Sequence, residues 1–180
     1  TALVLLPPSG GATLAANFTV AAYLPEWRYE GANWDVISAH TTHLILFSLE
    51  MSANGRITAL DRVPRPVLLA EARDAATRHG TKLLICFGGN GRSRGFSAMS
   101  RSPPARRRFI RQLRTLLDAH SLDGVDYNWE YPGYDFRSGY ASDEVLQRAL
   151  AERECAVEIM CDLHTTLVEM CQFLDAEILD

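Results

Sequence analysis

The sequence predicts an α/β fold in which a parallel sheet is wound through helical crossovers. Two observations point there. Four segments, residues 20–24, 42–49, 82–87 and 122–130, are apolar along most of their length, as strands covered on both faces are. Between them lie stretches whose apolar residues recur every three or four positions, the period of a helix packed on one side.

Each element has its own signals. Val20-Ala21-Ala22-Tyr23-Leu24 has strand length and is stopped by Pro25. Residues 33–39 fit a short helix. Residues 42–49 are rich in β-formers, and Asn54-Gly55 beyond them signals a turn. Residues 66–79 read as a helix with Pro66 at its start, Val67, Leu68, Ala72, Ala75 and Ala76 on one side, and Gly80 as its stop. Residues 82–87 form a buried strand ended by Gly88-Gly89. Pro103-Pro104 opens a helix to about His120, with Phe109, Ile110, Leu113, Leu116 and Leu117 on its apolar stripe. Residues 122–130 are the fourth strand. Sites in parallel α/β folds lie at the carboxyl ends of the strands, so the informative positions are near Tyr23, Ser48, Gly88 and Glu130.

Three regions follow. Residues 1–16 run from an apolar stretch through Pro7-Pro8 to small residues, and are expected to be a signal-peptide remnant or a disordered tail. With the glycosylation-type triplet Asn17-Phe18-Thr19, this gives an expected secreted, extracellular location. Residues 17–142 hold the α/β part. Residues 143–180 contain neither Gly nor Pro and repeat Val145, Ala149, Ala156, Ile159, Leu163 and Leu167 at helical steps, so a helical C-terminal tail is expected, with Ser142 as N-cap. His164 reads as a residue of its surface.

Composition narrows the class. The chain has 180 residues, 47% hydrophobic and 22% charged, which excludes disordered, collagen-like and coiled-coil compositions. No apolar run reaches the ~18 residues of a membrane span. The net charge of −4 is uneven: residues 1–122 carry 15 basic against 8 acidic side chains, residues 123–180 carry 3 against 14. The basic excess sits largely in Arg101, Arg106, Arg107, Arg108, Arg111 and Arg114, which read as a solvated helix face rather than a nucleic-acid surface. Cys86, Cys155, Cys161 and Cys171 form no C-x-x-C pair, and Cys86 reads as a small buried hydrophobe. Their disulfide state and the oligomeric state stay open.

The chemistry concentrates in Asp123-Gly124-Val125-Asp126-Tyr127-Asn128-Trp129-Glu130. On a strand, Asp126, Asn128 and Glu130 share one face while Val125, Tyr127 and Trp129 share the other. Acidic and amide groups in a row on a buried strand are costly unless hydrogen-bonded, so core packing alone does not account for them. Crowded carboxylates raise the pKa of one member, which makes a general acid usable near neutral pH.

Leu122 to Glu130, followed by Tyr131-Pro132, resembles the Asp-Gly-x-Asp-x-Asp-x-Glu signature of glycoside hydrolase family 18, the chitinases and chitinase-like lectins. Ala22-Tyr23-Leu24-Pro25-Glu26-Trp27, Thr42-His43-Leu44-Ile45 and Leu84-Ile85-Cys86-Phe87-Gly88-Gly89 resemble that family's first three strands, so the resemblance covers roughly residues 18–140. It implies a partial TIM (β/α)8 barrel of about four βα units. It also implies a chitin or N-acetylglucosamine-oligosaccharide substrate and retaining catalysis in which the sugar's own N-acetyl carbonyl is the nucleophile. By that resemblance Glu130 is the general acid, Asn128 stands at the position that orients the acetamido group, and Asp126 supports it. Tyr23, Trp27, Gly89 and Tyr131 are the implied substrate-binding residues, and neither metal nor cofactor is implied.

The departures carry expectations of their own. Asn128 replaces the family's middle Asp and cannot carry the charge that stabilises a developing cation, so turnover is expected to be weak or absent. Cys86 replaces a Ser, Asn90 replaces a frequent Trp, and the later-strand residues of the family have no counterpart. The alternative is a chitinase-like carbohydrate-binding module without turnover. At 180 residues against ~250 for a closed barrel, the chain is expected to be an incomplete barrel, a fragment or truncation. Other readings fit less well. Gly88-Gly89-Asn90-Gly91 with Arg92 and Arg94 is neither a dinucleotide fingerprint nor a P-loop. Asp126, Asn128 and Glu130 could ligate Mg²⁺ or Ca²⁺ as hard oxygen ligands, a minor alternative, whereas His40 and His43, at spacing three before or in a strand, are not a zinc pair. No G-x-S-x-G element supports a hydrolase triad.

Overall fold

A computed structural model describes residues 18–130. The N-terminal segment 1–16, the tail 143–180 and Tyr131 lie outside the described residues. Four parallel strands, β1 (Ala21–Pro25), β2 (His43–Met51), β4 (Lys82–Gly88) and β5 (Gly124–Asn128), stand side by side in chain order. A two-residue strand, β3 (Ile57–Thr58), pairs antiparallel with the end of β2. The crossovers carry α1 (Trp34–Ala39), α2 (Pro66–His79), and α3 (Phe96–Arg101) with α4 (Pro103–His120).

The helix ends follow local chemistry. The Asn33 side chain accepts from the Val36 N–H at 3.1 Å and caps α1. Pro66 and Pro103 start α2 and α4, where a missing N–H costs nothing. Gly80, at φ +70°, ends α2 in the left-handed conformation. The buried face of α2 differs from the predicted one in its first turn, where Leu69 is buried, Leu68 is half-buried and Val67 is exposed. Leu69, Ala72, Ala75 and Ala76 are buried, whereas Val67 is 58% exposed. Val67 lies on the stripe of Glu71, Asp74 and Arg78, so the helical period carries it to the solvent side.

One face of the sheet packs against the helices. Leu44, Leu46 and Leu49 of β2, Leu83, Ile85 and Phe87 of β4, and Tyr127 of β5 join Leu69, Ala76, Phe109, Leu113 and Leu116 in one cluster. Burying each large side chain is worth about 1.5–3 kcal/mol. Ile45 and Cys86 are equally buried but stand outside this cluster, on the opposite face. The β2–β4 register slips by one residue between Leu46 and Leu49, and Ser48 Oγ donates to the Gly88 carbonyl at 2.7 Å across that irregularity.

Strand β5 is shorter than predicted, ending at Asn128 rather than Glu130. Its neighbour β4 ends at Gly88, the partner of Asn128, so no ladder remains for Trp129 and Glu130. Strand β3 and helix α3 carry too few residues for a period and were not predicted.

Asp123 fixes the start of β5. Its Oδ2 accepts from the Leu83 N–H at 2.7 Å and from Arg73 at 2.8 Å. Burial raises its pKa, but these two bonds and the Arg73 and Lys82 charges outweigh it and hold the carboxyl below its ordinary range. A folded-state pKa below the unfolded one adds stability that is complete above the unfolded value and is lost as pH falls through the folded one. Asp123→Asn should therefore lower stability at pH 7 by about 1–2 kcal/mol and shrink the difference in Tm between pH 6 and pH 3. Equal Tm losses for parent and variant on acidification would contradict this role.

Candidate active site

The carboxyl ends of β1, β2, β4 and β5 lie at one edge of the sheet, as parallel strands require. Strand β5 delivers Asp126 and Asn128 to the face opposite the helical core, two residues apart. Tyr127 and Trp129 take the other face. Tyr127 packs edge-on to Phe96, and Trp129 stacks on Phe96 at 5.3 Å. The predicted division of this segment between two faces thus holds for these four residues.

Asp126 is 3% exposed and sits beside Cys86, its register partner on β4. Burial pushes the Cys86 thiol well above its ordinary value, and the Asp126 charge, with the thiol-to-carboxylate hydrogen bond, pushes it further. Cys86 therefore stays neutral and donates. It is buried, as expected of a small hydrophobe, and beyond filling space it offers its S–H to Asp126.

Asn128 is 8% exposed. Its main-chain carbonyl accepts from the Gly89 N–H at 2.7 Å and from Ser93 Oγ at 3.2 Å. Its side-chain Oδ1 is buried and accepts no hydrogen bond from the described residues. Glu130 follows the strand, half-buried, and its N–H donates to Ser93 Oγ at 3.1 Å.

The two glycines ending β4 make this packing feasible. Gly88 and Gly89 have φ of +100° and +96°, and a Cβ on Gly89 would lie 2.5 Å from the Phe47 ring. Gly89 thus brings its backbone against Phe47 and Asn128. Tyr23, in the middle of β1, is 39% exposed, with its ring edge-on to Phe47 at 5.8 Å. Trp27 is 65% exposed in the 3-10 turn Glu26–Arg28 that follows β1.

Sequence reasoning missed a charged cluster beside these aromatics. Arg92 bonds Glu26 through two nitrogens at 2.8 and 3.3 Å and Ser48 Oγ at 3.0 Å, and lies 5.5 Å from the centroid of Phe47. Arg62 lies 3.9 Å from Glu26 and bonds Glu50 at 2.8 Å. Burial raises the Glu26 pKa, but the Arg92 bond and the charges of both arginines hold it below its ordinary range. With Arg92 occupied by Glu26 and the Gly89 N–H by Asn128, the loop is not a phosphate cradle. The available signal was a Glu in the aromatic turn and an Arg just past the glycine pair, 66 residues apart.

Consecutive parallel strands with helices on one side, and a carboxylate–amide–carboxylate run at a strand's carboxyl end, define the opening units of a (β/α) barrel with a hydrolase-type mouth. Residues 19–172 match the model of glycosyl hydrolases family 18, and the chain belongs to that family. It is similar to probable chitinase 10 of Drosophila melanogaster, with 29% identity over 150 residues, 76% of this chain and 7% of that protein. The chitinase domain of the spore coat protein CotE from Clostridium difficile superposes with a TM-score of 0.60 at 25% identity, over 81% of this chain and 41% of that one. The chitinase RmChi1 of Rhizomucor miehei gives 0.59 at 21%, over 75% and 42%. The chain spans less than half the length of these relatives. Its fold is a partial TIM barrel, as predicted.

Proposed function

We propose that this chain carries the acid-bearing part of a chitinase-type glycosidase acting on β-1,4-linked N-acetylglucosamine polymers, with weak turnover as it stands. The observation that carries this reading is the placement of Asp126 and Asn128 on one face at the carboxyl end of β5, with Glu130 two residues beyond.

In this reading Glu130 gives its proton to the glycosidic oxygen as the bond from C1 breaks. The acetamido carbonyl oxygen closes on C1 to form an oxazolinium. Water then opens that ring as Glu130 takes its proton back, with net retention. Asn128 orients the acetamido N–H but adds no negative charge. Asp126, held by the Cys86 thiol, lies beside Asn128 and supports it. Tyr23 and Trp27 offer apolar ring faces to the pyranose units.

The test is hydrolysis of a chromogenic N-acetylglucosamine oligomer by the full chain. Glu130→Gln should reduce the rate by about 100-fold or more, since general acid catalysis contributes that much. Retention of oligomer binding by Glu130→Gln separates loss of acid from loss of fold. Binding to chitin by the parent with no hydrolysis would instead favour a carbohydrate-binding module.

A further inference from the structure

The loop between β4 and α3 grips two parts of the mouth at once. Arg92 faces the first strands, through Glu26 of the Trp27 turn, Ser48 of β2 and the ring of Phe47. The next residue, Ser93, faces the last strand. Its buried Oγ accepts from the Glu130 N–H at 3.1 Å, and the carbonyls of Gly89 and Asn128 lie 3.1 and 3.2 Å away for its own proton. The loop closes on itself through the Arg92 N–H to the Gly89 carbonyl at 2.9 Å, so the two grips share one tight turn.

We propose that Arg92 and Ser93 are adjacent positioning residues, Arg92 setting the Trp27 and Phe47 side of the sugar cleft and Ser93 setting the backbone of the acid Glu130. The proposal rests on the glycosidase reading for its kinetic consequence, but its geometry stands on this chain's own bonds. The two grips predict opposite kinetic splits. Losing the Ser93 hydroxyl leaves the aromatic side in place and lets Glu130 shift, and misplacing a reacting group by ~1 Å costs up to ~100-fold in rate. Losing the Arg92 guanidinium leaves Glu130 held and frees the Trp27 turn, which weakens binding in ground and transition states alike.

The experiment compares Ser93→Ala, Ser93→Cys and Arg92→Gln in the full chain. Ser93→Ala should lower kcat about tenfold with KM within about twofold of the parent, and Arg92→Gln should raise KM about fivefold with little change in kcat. Amide hydrogen exchange reads the Ser93 grip without any substrate. The Glu130 N–H should exchange at least about tenfold faster in Ser93→Ala, and at an intermediate rate in the nearly isosteric Ser93→Cys, whose thiol is a weaker partner. Trp34 and Trp129 are buried, so the mobile part of the tryptophan anisotropy decay reports Trp27 and should grow in Arg92→Gln. If both variants depress kcat and raise KM together, or the Glu130 amide exchanges at the parent rate in Ser93→Ala and Ser93→Cys alike, the proposal is wrong. A parent that neither binds nor cleaves the oligomer sinks the glycosidase reading alone, because exchange and anisotropy still judge the two grips.

Discussion

Asn128→Asp is expected to raise kcat on a chromogenic N-acetylglucosamine oligomer by about 100-fold, with KM little changed. The side chains are nearly isosteric, so the difference is charge. A fixed anion beside a developing oxazolinium cation acts only as the charge appears, and one such electrostatic partner is worth about 2.7–4 kcal/mol in a water-poor site, the lower end being about 100-fold. Asn128 is buried and lies two residues from Asp126, so the field is weakly screened. The gain has a cost. A second carboxylate so close to Asp126 raises the pKa of one of the two, which leaves the variant less stable at pH 7 than at pH 5 compared with the parent. Steady-state rates between pH 4 and 8, with melting curves at the same pH values, check both halves. An unchanged rate in Asn128→Asp, beside a Glu130→Gln variant as active as the parent, would remove the catalytic assignment.

The largest expected stability effect is in the sheet–helix core. Phe87 is fully buried on β4, edge-on to Phe109 of α4 at 5.1 Å and tilted against Tyr127 of β5 at 6.3 Å. It joins three elements, and the surrounding strands are too tightly paired to collapse into a vacated site. Phe87→Ala should therefore cost about 3–5 kcal/mol. Urea unfolding should show a lower midpoint with an unchanged slope. A loss under ~1 kcal/mol would mean that the rings close the gap, contrary to the packing described.

Much of this architecture is legible because it is local. Helices α2 and α4 have the predicted bounds, since Pro opens both, Gly80 stops α2, and their apolar residues keep the period. The division of Asp126 and Asn128 from Tyr127 and Trp129 follows from alternation alone. The rest depends on distant partners. Nothing around Cys86 announces that Asp126 lies beside it, because the β4–β5 register decides that. Glu26 and Arg92 each look like ordinary surface charges until the fold brings them together. The end of β5 was misread because a strand stops where its neighbour does, and that neighbour lies 40 residues upstream. Val67 was misread for a local reason, the choice of one stripe over its neighbour.

The order of the sheet also bears on how the chain is made. Its parallel strands lie in the sequence in which a ribosome releases them. Parallel pairing is slow because it closes long loops before any contact rewards it. Here each arriving strand meets a finished edge rather than a partner still to be synthesised, so the search is one-sided and proceeds in a fixed direction. Asp123 stands where β5 docks, already bonded to the Leu83 N–H of the strand before it. The same carboxylate that resists acid is thus placed to catch the newest strand in register, and with it the residues of the mouth.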